Sequence, residues 1–140
     1  MLFRSKKCLG TGAWGQVYEG TFRGCQVAVK QIHVLILSPH NRRLFEREMS
    51  IASHCRHPQL LQFMGATNDD GIPLFVTELL DADLRKVLAQ RALHHEEIVC
   101  IALDVATALN YLHLNEPFPI IHRDITSSNV LLWKIGRAHV

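Results

Sequence analysis

Ile121-His122-Arg123-Asp124-Ile125-Thr126-Ser127-Ser128-Asn129-Val130-Leu131-Leu132 sets a polar loop between two apolar ends, with an aspartate and an asparagine five residues apart. An aspartate in such a loop can accept a proton from a hydroxyl, and a nearby asparagine carbonyl can hold a divalent ion. The plainer alternative is a turn in which Asp124 and Asn129 only cap backbone groups.

Working back from this loop, Glu96 to His113 predicts a long helix, with Ile98, Ile101, Ala102, Val105, Leu109 and Leu112 at helical spacing and an acidic start that suits the helix dipole. Pro117 and Pro119 stop it. Asp83 to about Arg91 predicts a shorter helix. Leu60–Ala66 and Leu74–Leu79 read as strands joined by the turn Asn68-Asp69-Asp70-Gly71. Between Pro39 and Cys55 the period is helical, with Ser38 as cap and Pro39 in the first turn. The stretch before Ile32 alternates residue types and carries most of the glycines, so it predicts strands and tight turns. In Val27-Ala28-Val29-Lys30 the two valines share one face, with Ala28 and Lys30 on the other. Strands first and helices later make an α+β fold, with the helix of 39–55 laid on the sheet.

Two further features carry chemistry. Gly10-Thr11-Gly12-Ala13-Trp14-Gly15-Gln16-Val17 contains G-x-G-x-x-G-x-V. In a dinucleotide-binding oxidoreductase the third glycine would open a helix, but Val17-Tyr18-Glu19-Gly20-Thr21-Phe22 alternates like a strand. A glycine hairpin over phosphates fits better, and an ordinary hairpin turn is the bland alternative. Next, Leu44, Glu48, Ile51, Ala52 and Cys55 share one helix face, which puts a carboxylate in an apolar stripe. A buried carboxylate needs a cation, and Lys30 is the candidate; alone, a strand lysine would snorkel to solvent.

Composition narrows the class. The chain has 140 residues, 48% hydrophobic and 20% charged, which suits one folded domain and excludes disorder. Fifteen basic and 13 acidic side chains give no charge that argues for nucleic acid or lipid. Cys8, Cys25, Cys55 and Cys100 show no CxxC pair and read as buried thiols of a reducing compartment. Met1 to Lys7 lacks an apolar segment behind it, and no run is long enough to span a bilayer. The expectation is a soluble, cytoplasmic protein.

Taken together, the glycine run Gly10–Val17, Val27-Ala28-Val29-Lys30, Glu48 in its helix and His122-Arg123-Asp124 with Asn129 resemble the eukaryotic protein kinase family, in the family's order. The resemblance runs from Leu9 to Leu132 and implies a protein-kinase-like fold: a complete N-lobe of antiparallel sheet and one helix, then the first C-lobe helices and the catalytic loop. It implies that Gly10, Gly12 and Gly15 cover the ATP phosphates, with Trp14 at the loop tip. Lys30 would contact the α- and β-phosphates and be held by Glu48. Val17, Ala28 and Leu131 would sandwich adenine. Thr77 would be the gatekeeper, the backbone of Glu78 and Leu80 would bond the adenine edge, and Asp83 would bond the ribose. Asp124 would be the catalytic base and Asn129 a Mg²⁺ ligand, with a protein hydroxyl as acceptor.

Three departures stand against that pattern. Thr126 occupies the position two after Asp124, where many Ser/Thr kinases carry Lys; Ile-Thr-Ser-Ser-Asn most resembles the tyrosine-kinase-like branch, whose members mostly phosphorylate Ser or Thr. Ala52 stands where kinases usually place Leu or Met to stack on Phe63 and His122. No Asp-Phe-Gly or Ala-Pro-Glu follows Asn129. The expectation is a partial kinase domain over residues 1–134, with N-lobe and hinge to about 80 and the start of the C-lobe over 81–134. Ile135-Gly136-Arg137-Ala138-His139-Val140 resembles a translated sequencing adapter and is expected to be a non-native tail with little packing role. The rival reading from another class is a nucleotide-binding pseudokinase that regulates partners without catalysis.

Overall fold

A computed structural model describes residues 4–12, 15–33, 38–67, 72–133 and 138–139. It divides into two compact units, residues 1–54 with 62–79 and residues 55–61 with 80–140.

The first unit is built on β1 (Arg4–Gly12), β2 (Gly15–Phe22), β3 (Cys25–Ile32), β4 (Phe63–Thr67) and β5 (Leu74–Glu78), with the helix α1 (Pro39–His54). The strands form an antiparallel sheet in the order β1-β2-β3-β5-β4. Strands β2 and β3 are joined by a two-residue turn in which Arg23 (φ 49°) and Gly24 (φ 83°) are both left-handed. Paired positive φ values match the right-handed twist of the flanking strands. The Arg23 guanidinium carbon lies 5.3 Å from the Phe22 ring centroid.

The alternation read in β3 holds. Val27 and Val29 are buried with Val76, and Phe22, Met64 and Leu74 pack around them. Each valine contributes about 2 kcal/mol by leaving water. Lys30, on the opposite face, is exposed. Helix α1 starts as read: the Asn41 N–H donates to Ser38 Oγ at 3.2 Å and the Arg42 N–H to the Ser38 carbonyl at 3.0 Å. The turn read at 68–71 lies outside the described residues.

The second unit contains β6 (Ala82–Asp83), α2 (Leu84–Gln90), α3 (His95–His113), β7 (Leu131–Leu132) and β8 (Ala138–His139). Residues 55–61 belong to it because the Arg56 N–H donates to the Tyr111 hydroxyl at 3.1 Å and the rings of His57 and Tyr111 lie 5.0 Å apart. Ile101, Val130 and Leu132 form its core, with Leu84, Val87, Leu93 and Val105 against them. Helix α3 buries Ile101, Ala108 and Leu112, whereas Ile98 and Ala102 are exposed. Helical spacing marks a stripe but not how much of its width a neighbour covers.

Two expectations are corrected here. Of the four cysteines, Cys8, Cys25 and Cys100 are exposed; only Cys55 is half-buried, and that burial raises its thiol pKa. These three sit in an outer strand, at a hairpin turn and on an exposed face of α3, where no neighbouring layer covers them among the described residues. The terminal stretch also takes part in packing: Leu131 pairs with His139 and Leu132 with Ala138.

Candidate active site

Register places several nucleotide-site candidates on one face of the five-stranded sheet. Gly10 lies opposite Val17, Val17 opposite Lys30, and Ala28 opposite Thr77. Cross-strand partners project to the same side, and residues two apart in a strand do too. Val17, Ala28, Lys30 and Thr77 therefore share the face opposite the valine core. The glycine run itself forms a hairpin, with Gly12 paired to Gly15. Gly15 leaves no room for a side chain, since a Cβ there would meet the backbone carbonyl of Gln31. Trp14 lies outside the described residues.

Glu48 departs from its sequence reading. It is exposed on α1, Leu44 and Ile51 on the same stripe are 45% and 36% exposed, and the helix buries no residue. Among the described residues Glu48 and Lys30 form no ion pair; the pairs present are Lys86–Asp83 and Arg91–Glu97. The premise of a buried carboxylate fails. With both groups in water, an ion pair would gain at most about 1 kcal/mol, too little to hold two long side chains together.

Thr77 is buried at the end of β5, and its hydroxyl donates to the Glu78 carbonyl at 3.1 Å. Glu78 is held from both ends by Gln62. The Gln62 N–H donates to Glu78 Oε1 at 2.7 Å, and the Glu78 N–H donates to the Gln62 carbonyl at 3.0 Å. With its N–H engaged, Glu78 can meet a ligand edge only through its carbonyl. Gln62 carried no sequence signal, because its role depends on the β4–β5 pairing.

In the second unit the polar loop closes on itself. Asn129 Nδ2 donates to Asp124 Oδ2 at 2.9 Å and to the Asp124 carbonyl at 3.0 Å, while the Asn129 N–H donates to the Thr126 carbonyl at 3.0 Å. Arg123 sits in left-handed backbone at φ 68°, a cost of about 1 kcal/mol that the surrounding bonds sustain. The Asp124 N–H donates to His122 Nδ1 at 3.3 Å. His122 is half-buried, and burial lowers its pKa, outweighing the opposing pull of Asp124. Both features favour the neutral imidazole with its proton on Nε2.

Asp83 caps α2. Its Oδ1 accepts the Lys86 N–H at 2.8 Å and its Oδ2 lies 3.2 Å from Lys86 Nζ, so a ribose hydroxyl would share an engaged carboxylate. Leu131 pairs directly with Asp83. Leu80 is half-buried just before β6.

Among the described residues no three His, Cys, Asp or Glu side chains cluster as a metal site. The donor set suits a weaker demand. Asn129 uses Nδ2 on Asp124, which leaves its Oδ1 lone pairs for a hard cation that takes its other ligands from phosphates and water.

Comparison with known proteins agrees with these motifs. Residues 3–140 match the protein tyrosine and serine/threonine kinase family. The chain is 35% identical over 136 residues to the probable serine/threonine-protein kinase kinX of Dictyostelium discoideum, covering 91% of this chain and 12% of that protein. It is 35% identical to the serine/threonine-protein kinase VIK of Arabidopsis thaliana, covering 99% of this chain and 32% of that protein. Human serine/threonine-protein kinase TNNI3K is 38% identical, with 94% and 16% covered. The chain thus spans only 12% to 32% of the length of such relatives. No helix among the described residues is long and apolar enough to cross a membrane. With the glycine hairpin, the Lys30 strand and the Asp124–Asn129 loop in the family's order and matched over nearly the whole chain, this chain belongs to the protein kinase family.

Proposed function

We propose that the protein carrying this chain transfers the γ-phosphoryl group of ATP to serine or threonine hydroxyls of protein substrates in the cytoplasm. One observation carries the reading: Asn129 clasps Asp124 through Oδ2, and among the described residues Asp124 Oδ1 is left without a partner. That oxygen can take the acceptor's proton while the carboxylate is held in place. Catalysis of this reaction rests on positioning and charge stabilisation, which suits a loop braced by its own bonds. The sheet face with Val17, Ala28 and Lys30 suits an apolar base and a phosphate chain, and the hairpin of Gly10, Gly12 and Gly15 lets backbone approach phosphate oxygens. Mg²⁺ at Asn129 would neutralise charge on the phosphates. Similarity to named serine/threonine kinases supports the acceptor class.

The test is transfer of label from γ-labelled ATP by the full-length protein, with Asp124→Asn as the control. Transfer to Ser or Thr that Asp124→Asn abolishes supports the reading; label on Tyr alone overturns the acceptor class. A second reading, a nucleotide-binding scaffold without turnover, is favoured by the exposed Lys30 and Glu48, which form no ion pair among the described residues. ATP binding with no transfer would select it. Lys30→Met, Glu48→Gln and their combination decide whether the two ever act as a pair: a double variant no worse than the worse single shows coupling, and additive losses exclude it.

A further inference from the structure

We propose that Arg85, at the start of α2, is a positioning residue for Asp124, acting through Ser127; the inference rests on the phosphotransfer reading. The first N–H groups of a helix lack partners within it and must be satisfied from outside. In α2 the first two are directed to the polar loop and the residue after it. The Leu84 N–H donates to the Val130 carbonyl at 2.8 Å, and the Arg85 N–H donates to the Ser127 carbonyl at 3.0 Å.

A second, long hydrogen bond runs from Arg85 Nε to the Ser127 hydroxyl at 3.5 Å. Among the described residues this guanidinium has no carboxylate partner, so Ser127 is where the side chain is held. The loop is otherwise mostly exposed, and a polar loop without outside anchors exchanges its bonds with water. Ser127 lies between the residues that lock the catalytic geometry. Thr126 accepts the Asn129 N–H and shares a 2.9 Å hydrogen bond with Ser128, and Asn129 clasps Asp124. A shift at Ser127 moves Asn129, and with it the Asp124 carboxylate. Asp83 contributes at one remove, by capping the turn that presents these N–H groups.

The full-length protein tests this with Arg85→Ala, Ser127→Ala, Ser127→Thr and the double alanine variant. Losing one charge-assisted bond should lower kcat by about three- to tenfold for each single alanine change. KM for ATP should stay within about twofold, because Asp124 faces the acceptor and a cation at Asn129 would keep its phosphate and water ligands through a small shift of one amide. Ser127→Thr, which keeps the hydroxyl, should restore the rate, and the double variant should match the worse single. Amide hydrogen exchange at Asn129 should quicken in both single alanine variants, a readout that needs no turnover. Unchanged exchange and kcat, additive losses, or parallel changes in kcat and KM would each overturn the proposal. A wild-type protein that binds ATP without transfer would sink the phosphotransfer reading, while exchange at Asn129 still decides the strut.

Discussion

A Cβ atom placed on Gly15 would clash with the backbone carbonyl oxygen of Gln31 and lie 2.9 Å from its carbonyl carbon. Both neighbours are backbone of β3, which cannot rotate away. By contrast, a Cβ on Gly10 meets nothing within 4 Å. Gly15→Ala should therefore force β2 off β3 and destabilise the first unit by about 3 kcal/mol or more, whereas Gly10→Ala should cost about 1 kcal/mol or less. Denaturant unfolding of the two variants checks the contrast. Equal losses would mean that Gly15 is kept for its approach to a ligand and not for the strand contact.

Asn129→Ala should impair phosphoryl transfer more than its loss of one cation ligand alone would, because Asp124 also loses its clasp at Oδ2 and at its carbonyl. Asp124→Asn should abolish most turnover while ATP affinity changes by less than about threefold, since a base at the acceptor contributes about 10²- to 10⁴-fold to rate and little to nucleotide binding. Isothermal titration with ATP beside a turnover assay separates the two effects.

His122 should make the loop sensitive to mild acid. Its pKa is lowered by burial, so the unfolded chain binds a proton more readily than the folded one below about pH 6.5. Its contribution to stability is complete above that pH and is lost as pH falls toward the depressed folded value. Protonation also removes Nδ1 as acceptor for the Asp124 N–H. His122→Phe should flatten the pH dependence of unfolding below about pH 6.5 relative to wild type. An unchanged slope would place the titration on other histidines.

Glu97 acts in a more acidic window. Its carboxylate accepts two bonds from Arg91, at 2.7 and 2.8 Å, and the His94 N–H at 2.9 Å. The Arg91 hydrogen bonds, then the backbone bond from His94, lower its pKa to about 2. Its contribution is present above the ordinary value of about 4.5 and is lost as pH falls through about 2. Carboxyl titration by NMR should find Glu97 depressed, and Arg91→Ala should return it toward the ordinary range. Glu97→Gln should remove part of the acid-induced loss of α3.

Much of the local structure was legible because its periods belong to the backbone itself. The alternation of Val27, Ala28, Val29 and Lys30 follows from the strand pleat, and it assigned the buried face correctly. Ser38 before Pro39 marked the start of α1, because capping involves only residues within one turn. The spacing of Asp124 and Asn129 marked a polar loop between apolar ends, and their direct bond lies within five residues of chain. What failed was the inference from Glu48's position in an apolar stripe to its burial and to a partner in β3. A helix period names the residues that share a face; only the packing of α1 decides whether anything covers that face. The double hold of Gln62 on Glu78 and the reach of Arg85 to Ser127 were likewise hidden. Such contacts depend on strand register and on where a helix end meets a loop, and these are set by chain segments many residues apart folding against each other.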